Sequence, residues 1–331
     1  MPDPITLRRR KLLAAAALAP AATLLGTPAR SADFPSRTIT VISPFPPGGL
    51  NDTSARAVAR ALQAELGRNA IVENRPGGGT MIALEHLARQ APDGHTLLIC
   101  GDTNMAVMPH LQPSLSFSLE KDFAPITLLV SAPAVLVVRP SLAVKSLQDL
   151  IALAKAQPGK LSYASAGNAT PPHMIAEQFK SRTGLAIAHV PFKGATEGLM
   201  NVLGGHVDLM FVDLATASAQ VKANKVHTLA VSTANRSKLL PDVPTIAESG
   251  LPGFEGRAWQ GVITRQGTPT EVIHVLNRAI VAGMQRPEIG GIYDAKGAEL
   301  ATSTPEQFAA MIVDERAKAG RLIQQAGIKL G

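Results

Sequence analysis

Thr38-Ile-Thr-Val-Ile-Ser43-Pro-Phe-Pro-Pro-Gly-Gly-Leu-Asn-Asp-Thr-Ser54 joins a short β-branched run to a rigid turn and a helix start. Residues 38–43 read as a strand, because Ile, Thr and Val suit a pleated surface. After the Pro/Gly turn at 44–49, Ala55, Val58, Ala59 and Leu62 fall at helical spacing. The stretch is therefore a β-loop-α unit. Outward from it the same order recurs: strand 71–73, loop 74–79, helix 81–89, strand 96–100. Strand 134–138 leads to a helix opening at Ser146, where Ser146 and Asp149 have capping-box spacing. Residues 161–164 precede a loop and helix 172–182, 187–190 precede 196–203, 207–212 precede 215–223, and 227–231 close the series. Such alternation predicts an α/β fold with mainly parallel sheets.

The C-terminal part breaks the pattern. Strand 259–263 is followed by two long helices, 269–285 and 305–325, each opened by Thr-Pro. Thr268 and Thr304 read as N-caps with proline at the first helical position. Helices without enough strands of their own cover a sheet made elsewhere. The chain is thus expected to build one lobe, cross to a second and return, leaving a ligand cleft between them. A length of 331 residues suits two such lobes.

Composition narrows the function. With 46% hydrophobic and 17% charged residues the chain is folded rather than disordered. Nine Phe, one Trp and two Tyr are too few for the stacking platforms of nucleic-acid or oligosaccharide binding. The single cysteine, Cys100, excludes an internal disulfide and Cys-rich metal sites, and its apolar neighbours Leu97, Leu98 and Ile99 place it in a core. Much of the formal charge of +7 sits at the N-terminus. Five of the 32 Lys and Arg but only one of the 25 Asp and Glu fall in residues 1–32, so the remainder carries only +3. Arg8, Arg9, Arg10 and Lys11 form a positive head, residues 12–26 an uncharged apolar run, and small residues follow to Ala32. This is the plan of a secretory signal peptide, expected at 1–29 with cleavage after Ala29. Sec and twin-arginine routes are both compatible with it. No cysteine lies near the cleavage region, which excludes a lipoprotein anchor. The expected location is the periplasm.

No Gly-x-Ser-x-Gly elbow, Walker-type loop or His-Glu-x-x-His motif occurs, and the histidines show no close metal-ligand pairing. Gly77, Gly78 and Gly79 fail the dinucleotide pattern, because Ile82 stands where its third glycine belongs. No catalytic residue, metal or cofactor is expected. Two loops carry usable chemistry. In residues 43–54, prolines stiffen the backbone, glycines let a ligand approach, and a helix start turns free N–H groups toward it. Such a start attracts carboxylate or phosphate. Tyr163-Ala-Ser-Ala-Gly-Asn-Ala-Thr-Pro-Pro-His173 again joins a strand to a helix and offers small residues, hydroxyls and an amide. Facing one another, the two would form an anion clamp without an arginine.

Pro44-Phe-Pro-Pro-Gly-Gly-Leu-Asn-Asp52, Glu73-Asn-Arg-Pro-Gly77 and Ala91-Pro-Asp-Gly-His-Thr-Leu-Leu98 resemble the solute receptors of tripartite tricarboxylate transporters, the Bug or TctC-like family. The resemblance continues through Asp122-Phe-Ala-Pro-Ile126, Ser165-Ala-Gly-Asn168, His189-Val-Pro-Phe-Lys-Gly194 and Gly205-His-Val-Asp-Leu-Met-Phe211. It ends with Leu240-Pro-Asp-Val-Pro-Thr-Ile-Ala-Glu-Ser-Gly250 and Gly267-Thr-Pro269, covering residues 34–331 in order. It implies a two-lobed periplasmic binding protein, type II-like, with residues 30–131 and 256–331 in lobe 1 and 132–255 in lobe 2. It implies no catalysis, but capture of a small carboxylate-containing solute for a membrane transporter. The solute would be a mono-, di- or tricarboxylate, an amino acid or an aromatic acid, and the receptor a monomer that binds no nucleic acid. Carried over residue by residue, the first jaw is Phe45, Pro47, Gly48, Gly49, Leu50 and Asn51. The second is Ser165, Ala166, Gly167, Asn168, Ala169 and Thr170, and Asp213 falls near the far end of the pocket.

Three departures bear on the solute. Ala169 replaces the second glycine of the family's Gly-Asn-Gly-Thr, which matters if that residue needs a positive φ. Gly77-Gly-Gly-Thr80 replaces Gly-Ala-Gly-Gly, and Leu214 follows Asp213 where Asn is often found. Asp52 reads as a helix cap, His173 as a packing or capping residue and Lys193 as a solvated lysine, while Asp213 suits ligand contact and structural bonding equally. Two other classes remain open: a ligand receptor serving a sensor protein, and a periplasmic hydrolase or lyase on a related fold, which would need an activated base or nucleophile in the cleft.

Overall fold

The strand of the opening stretch is β1, Ile39–Ser43, and its helix is α1, Leu50–Leu66, which ends at Gly67 in the left-handed conformation. These belong to a computed structural model that describes residues 34–112, 115–294 and 297–329. The signal peptide expected at 1–29 lies outside the described residues. From Arg37 on, the described residues pack as one compact unit.

The chain continues as β2 (Ala70–Asn74), a 3-10 turn, α2 (Met81–Ala88), β3 (Thr96–Gly101), a π-helical turn over Thr103–Val107, α3 (Met108–Leu111) and α4 (Leu119–Asp122). β4 (Phe123–Val138), α5 (Leu147–Ala156), β5 (Ser162–Ser165), α6 (Pro171–Thr183), β6 (Ala188–Pro191) and α7 (Ala195–Leu203) follow. Then come β7 (Leu209–Asp213), α8 (Leu214–Lys222), β8 (His227–Val231), β9 (Arg257–Arg265), α9 (Thr270–Met284), α10 (Pro287–Asp294), β10 (Glu299–Leu300) and α11 (Pro305–Ala326).

The strand order is β2-β1-β3-β9-β4-β7-β5-β6. Pairing is parallel among β2, β1 and β3 and among β7, β5 and β6. β9 and β4 run antiparallel to their neighbours and to each other, so the sheet is mixed at its centre. Residues 123–133 of β4 pair with β9, and residues 134–138 pair with β7 and β8. One strand thereby serves two sheets. It is longer than the expected 134–138 and runs through Pro125 and Pro133. Register shifts between Pro125 and Thr127 and between Leu128 and Val130 absorb the irregularity.

At the crossing the chain is laced together. Ser232 N–H donates to Ala134 O and Gly256 N–H to Ser232 O, each at 2.8 Å, and Ser232 Oγ bonds Gly256 O. Beyond it β4 is apolar on both faces. Leu136 and Val138 pack with Tyr163, Phe179, Phe211 and Phe254, whereas Val135 and Val137 pack with Leu199, Met210 and Val212. Helices on both sides of a sheet require this pattern.

The two long C-terminal helices return to the first sheet. α9 lies against α1 so closely that a Cβ on Gly283 would stand 2.4 Å from that of Ala61. α11 places Phe308 edge-on to Trp259 of β9, with centroids 5.7 Å apart. Thr304 caps α11, as the sequence suggests, and forms a full capping box with Gln307. Thr268 does not cap α9. Its hydroxyl donates to Arg265 O, and Pro269 takes the cap position without a side-chain bond. Cys100 is fully buried in β3, and burial pushes its thiol up.

Candidate functional site

A cavity of about 600 Å³ lies over the crossing strands. Its floor is Val130, Ala132 and Ala134 of β4 with Trp259 and Gln260 of β9. Strand ends and helix starts form its walls.

The first wall is the β1–α1 loop, and all six residues expected there, Phe45, Pro47, Gly48, Gly49, Leu50 and Asn51, line the cavity. Asp52 braces the loop from behind and is 5% exposed. Its Oδ2 accepts from Gly48 N–H at 3.1 Å and Arg56 Nε at 2.9 Å, and its Oδ1 accepts from Asn74 Nδ2 at 3.1 Å. Burial alone would raise this carboxyl, but these three donors and the Arg56 charge outweigh it and hold it below its ordinary value. Asp52 is therefore an anionic brace, and Leu50 and Asn51, in the first turn of α1, have no intrahelical acceptor for their N–H groups.

The second loop behaves differently. Ala166 and Thr170 line the cavity, while Ser165, Gly167, Asn168 and Ala169 are not in its wall. Several of its donors are already engaged. Gly167 N–H goes to Ser165 Oγ at 3.1 Å, Ala169 N–H to His173 Nδ1 at 3.0 Å, and the Thr170 hydroxyl to Gly167 O at 2.7 Å. Ala169 does adopt a positive φ, +63°. α6 opens with Pro171 and Pro172, which have no N–H, so its start presents few donors.

A further helix start supplies what α6 lacks. Lys193, Gly194, Ala195 and Thr196 line the cavity at the opening of α7. Gly198 N–H bonds Gly194 O, leaving Ala195, Thr196 and Glu197 in the orphan first turn. None of these residues is among the expected jaws, although the run Phe192-Lys-Gly-Ala-Thr196 also joins a strand to a helix through small residues. Asp213 also lines the cavity, but its carboxylate is engaged as the α8 cap. Oδ1 accepts Thr216 N–H and Oδ2 accepts the Thr216 hydroxyl, both at 2.8 Å.

Asp102, unforeseen in the sequence, joins Lys193 and Asp213 as the charged residues in this wall among the described residues. Its Oδ1 accepts Thr103 N–H at 2.7 Å and its Oδ2 approaches Trp259 N at 3.4 Å. Burial pushes its carboxyl up to about 7, Glu315 acts in the same direction, and the two backbone donors only partly oppose them. Between the ordinary 3.8 and about 7 the folded state binds the extra proton, so this group's contribution to stability falls as pH rises through that window. Asp102→Asn is expected to stabilise the protein by roughly 1–3 kcal/mol at pH 8 and by nothing at pH 3. Thermal melts across that range check it, and a variant less stable at pH 8 contradicts it.

Among the described residues no group of His, Cys, Asp or Glu is arranged to hold a metal ion, and no helix is long and apolar enough to cross a membrane.

The model of the tripartite tricarboxylate transporter family receptor, TctC, matches residues 54–328. The chain belongs to this family. BugT of Bordetella pertussis is 34% identical over 321 residues, covering 97% of this chain and 98% of BugT. An R. palustris protein solved with adipate superposes with a TM-score of 0.81 at 31% identity, covering 89% of this chain and 99% of its own. MatC of Rhodopseudomonas palustris, solved with malate, gives 0.76 at 29%, covering 88% and 100%. The TctC family is a receptor family, and a further neighbour, BugD, is a periplasmic binding protein at 29% identity with a TM-score of 0.78.

Proposed function

We propose that the protein is a periplasmic receptor that captures a small organic carboxylate and delivers it to the membrane subunits of a tripartite tricarboxylate-type transporter. The observation that carries this reading is the cavity itself, walled by the N-terminal turns of α1 and α7 with the glycines of both loops beside them. Orphan N–H groups and the positive ends of two helix dipoles attract a carboxylate without a guanidinium. Residues 30–131 with 256–331 would form one lobe and 132–255 the other. Closure at the crossing of β4 and residues 232–256 would enclose the solute. Adipate and malate, held by the two neighbours, are the first ligands to try.

The test is thermal unfolding of protein freed of bound ligand by denaturation and refolding. A cognate carboxylate at 100 times its dissociation constant is expected to stabilise by about 2.7 kcal/mol. Mass spectrometry of the small molecules released in the first step would name the natural solute. No shift with any mono-, di- or tricarboxylate, amino acid or aromatic acid would count decisively against this function.

A further inference from the structure

The loop over residues 165–170 rests on a stack of three rings. His189 of β6 stacks on both of the others, its centroid 4.8 Å from that of Tyr163 of β5 and 4.1 Å from that of His173 of α6, with interplanar angles of 15° and 7°, while the Tyr163 and His173 centroids lie 6.4 Å apart, so the three rings form a triangle. Each histidine grips one end of the loop. His189 Nε2 lies 2.7 Å from Ser165 Oγ, the atom that also accepts Gly167 N–H and donates to Gly167 O. His173 Nδ1 accepts Ala169 N–H at 3.0 Å. Ala169 stands in the left-handed region, where an alanine stays only if its surroundings keep it there. Between these anchors Ala166 and Thr170 reach the cavity.

We propose that His173 and His189 are positioning residues of the binding site, which lock residues 165–170 in the ligand-accepting shape, and that protonation of His173 undoes the lock and releases the solute. The proposal rests on the reading of this cavity as the carboxylate site.

The chemistry follows from one atom. To accept from Ala169, Nδ1 must carry a lone pair, so His173 is the neutral tautomer protonated on Nε2. An imidazolium would set a second N–H against that of Ala169, and one of the two must move. The charged groups around the stack do not favour the imidazolium. Glu177 Oε1, which would draw a proton, already accepts the Tyr163 hydroxyl and pairs with Lys180 Nζ at 2.6 Å. Lys180 itself lies 5.4 Å from the Tyr163 ring centroid. Burial first, then His189 and Lys180, against the pull of Glu177, push His173 down to about 4. Burial and Lys180 lower His189 as well, again against Glu177. The lock is therefore closed at neutral pH and opens only under acid.

Calorimetric titration with adipate and malate on the wild type, His173→Asn and His173→Leu, from pH 7 to pH 3.5, tests this. Leucine fills the space without an acceptor and is expected to weaken binding at least tenfold at pH 7, with circular dichroism confirming the fold. Asparagine places Oδ1 near the position of Nδ1 but does not titrate. It should recover most of that loss, and its affinity should follow only the ligand's own protonation. Relative to it, the wild type should weaken by about twofold at pH 4.0 and fourfold at pH 3.5, as expected for one linked proton. Identical pH profiles for the wild type and His173→Asn overturn the proposal, as does unchanged affinity in a folded His173→Leu. If the leucine variant does not fold, the comparison of wild type with asparagine decides.

Should neither probe bind the wild type, the lock is read by nitrogen NMR of the free protein, and the carboxylate reading is decided separately by the wider ligand panel. His173 Nδ1 should then show the shift of an unprotonated acceptor at pH 7, and the Ala169 amide should move together with it on acidification. An Ala169 amide indifferent to His173 titration would sink the lock itself.

Discussion

Replacing Gly49 with valine is expected to weaken carboxylate binding by roughly 10- to 100-fold, equivalent to one or more hydrogen bonds to a charged group, about 1.5–3 kcal/mol. The backbone accommodates the change, at the modest cost of losing glycine from the N-cap of α1. Gly49 has φ −83° and ψ 179°, extended backbone that any residue adopts, and a Cβ built on it meets nothing within 4 Å. The added methyl groups would stand in the cavity, between the solute and the N–H groups of Leu50 and Asn51. Lys193→Ala is the contrasting variant, because Lys193 lines the same cavity but is exposed. A solvated ammonium is screened by water and salt, so its loss should change affinity by less than about threefold. Titration calorimetry on both variants, with circular dichroism as the folding control, ranks them. Abolished binding in Lys193→Ala beside normal binding in a folded Gly49→Val would replace the backbone clamp with a side-chain salt bridge.

The α/β order was legible because each β-loop-α unit carries its own punctuation. Glycine, proline and capping residues fall where the period changes from strand to helix, and those signals are local. β4 was half hidden for a non-local reason. Pro125 is tolerated because its antiparallel partner β9, which comes from a distant segment, accommodates the register shift beside it. Thr268 misled because its hydroxyl found a nearer acceptor in Arg265 O.

The cavity was legible to the same degree. The first jaw could be read in full, since its rigidity and its helix start lie within a dozen residues. Of the second jaw, Ala166 and Thr170 reach the cavity wall. Small residues and hydroxyls promised open donors, but whether an N–H faces a ligand or a neighbour depends on tertiary contacts such as Ala169 with His173. Asp102 had no sequence signature, because its chemistry comes from burial against β9 and α11 rather than from a motif. The wall at α7 carried a weaker signal, for Lys193 and Gly194 stood out only within the family motif 189–194 and not as a helix start at the cavity.

That wall supports the second large effect. Ala195→Pro deletes one orphan N–H at the first position of α7 and leaves the helix otherwise intact, since proline's fixed φ suits that position. Gly194 before it is extended, φ 173° and ψ 165°, the conformation that a following proline demands. The Gly198 N–H bond to Gly194 O is untouched by the change. If this turn holds the solute carboxylate, affinity should fall by roughly 10-fold or more, because a hydrogen bond to a charged group contributes about 1.5–3 kcal/mol. Ala195→Ser, which keeps the N–H while changing the side chain, should stay close to the parent. α6 makes the comparison pointed, for it already opens with Pro171 and Pro172 and has given up the same donors. A folded Ala195→Pro that binds as tightly as the parent would shift the clamp entirely to α1, leaving α7 to shape the cavity without touching the charge.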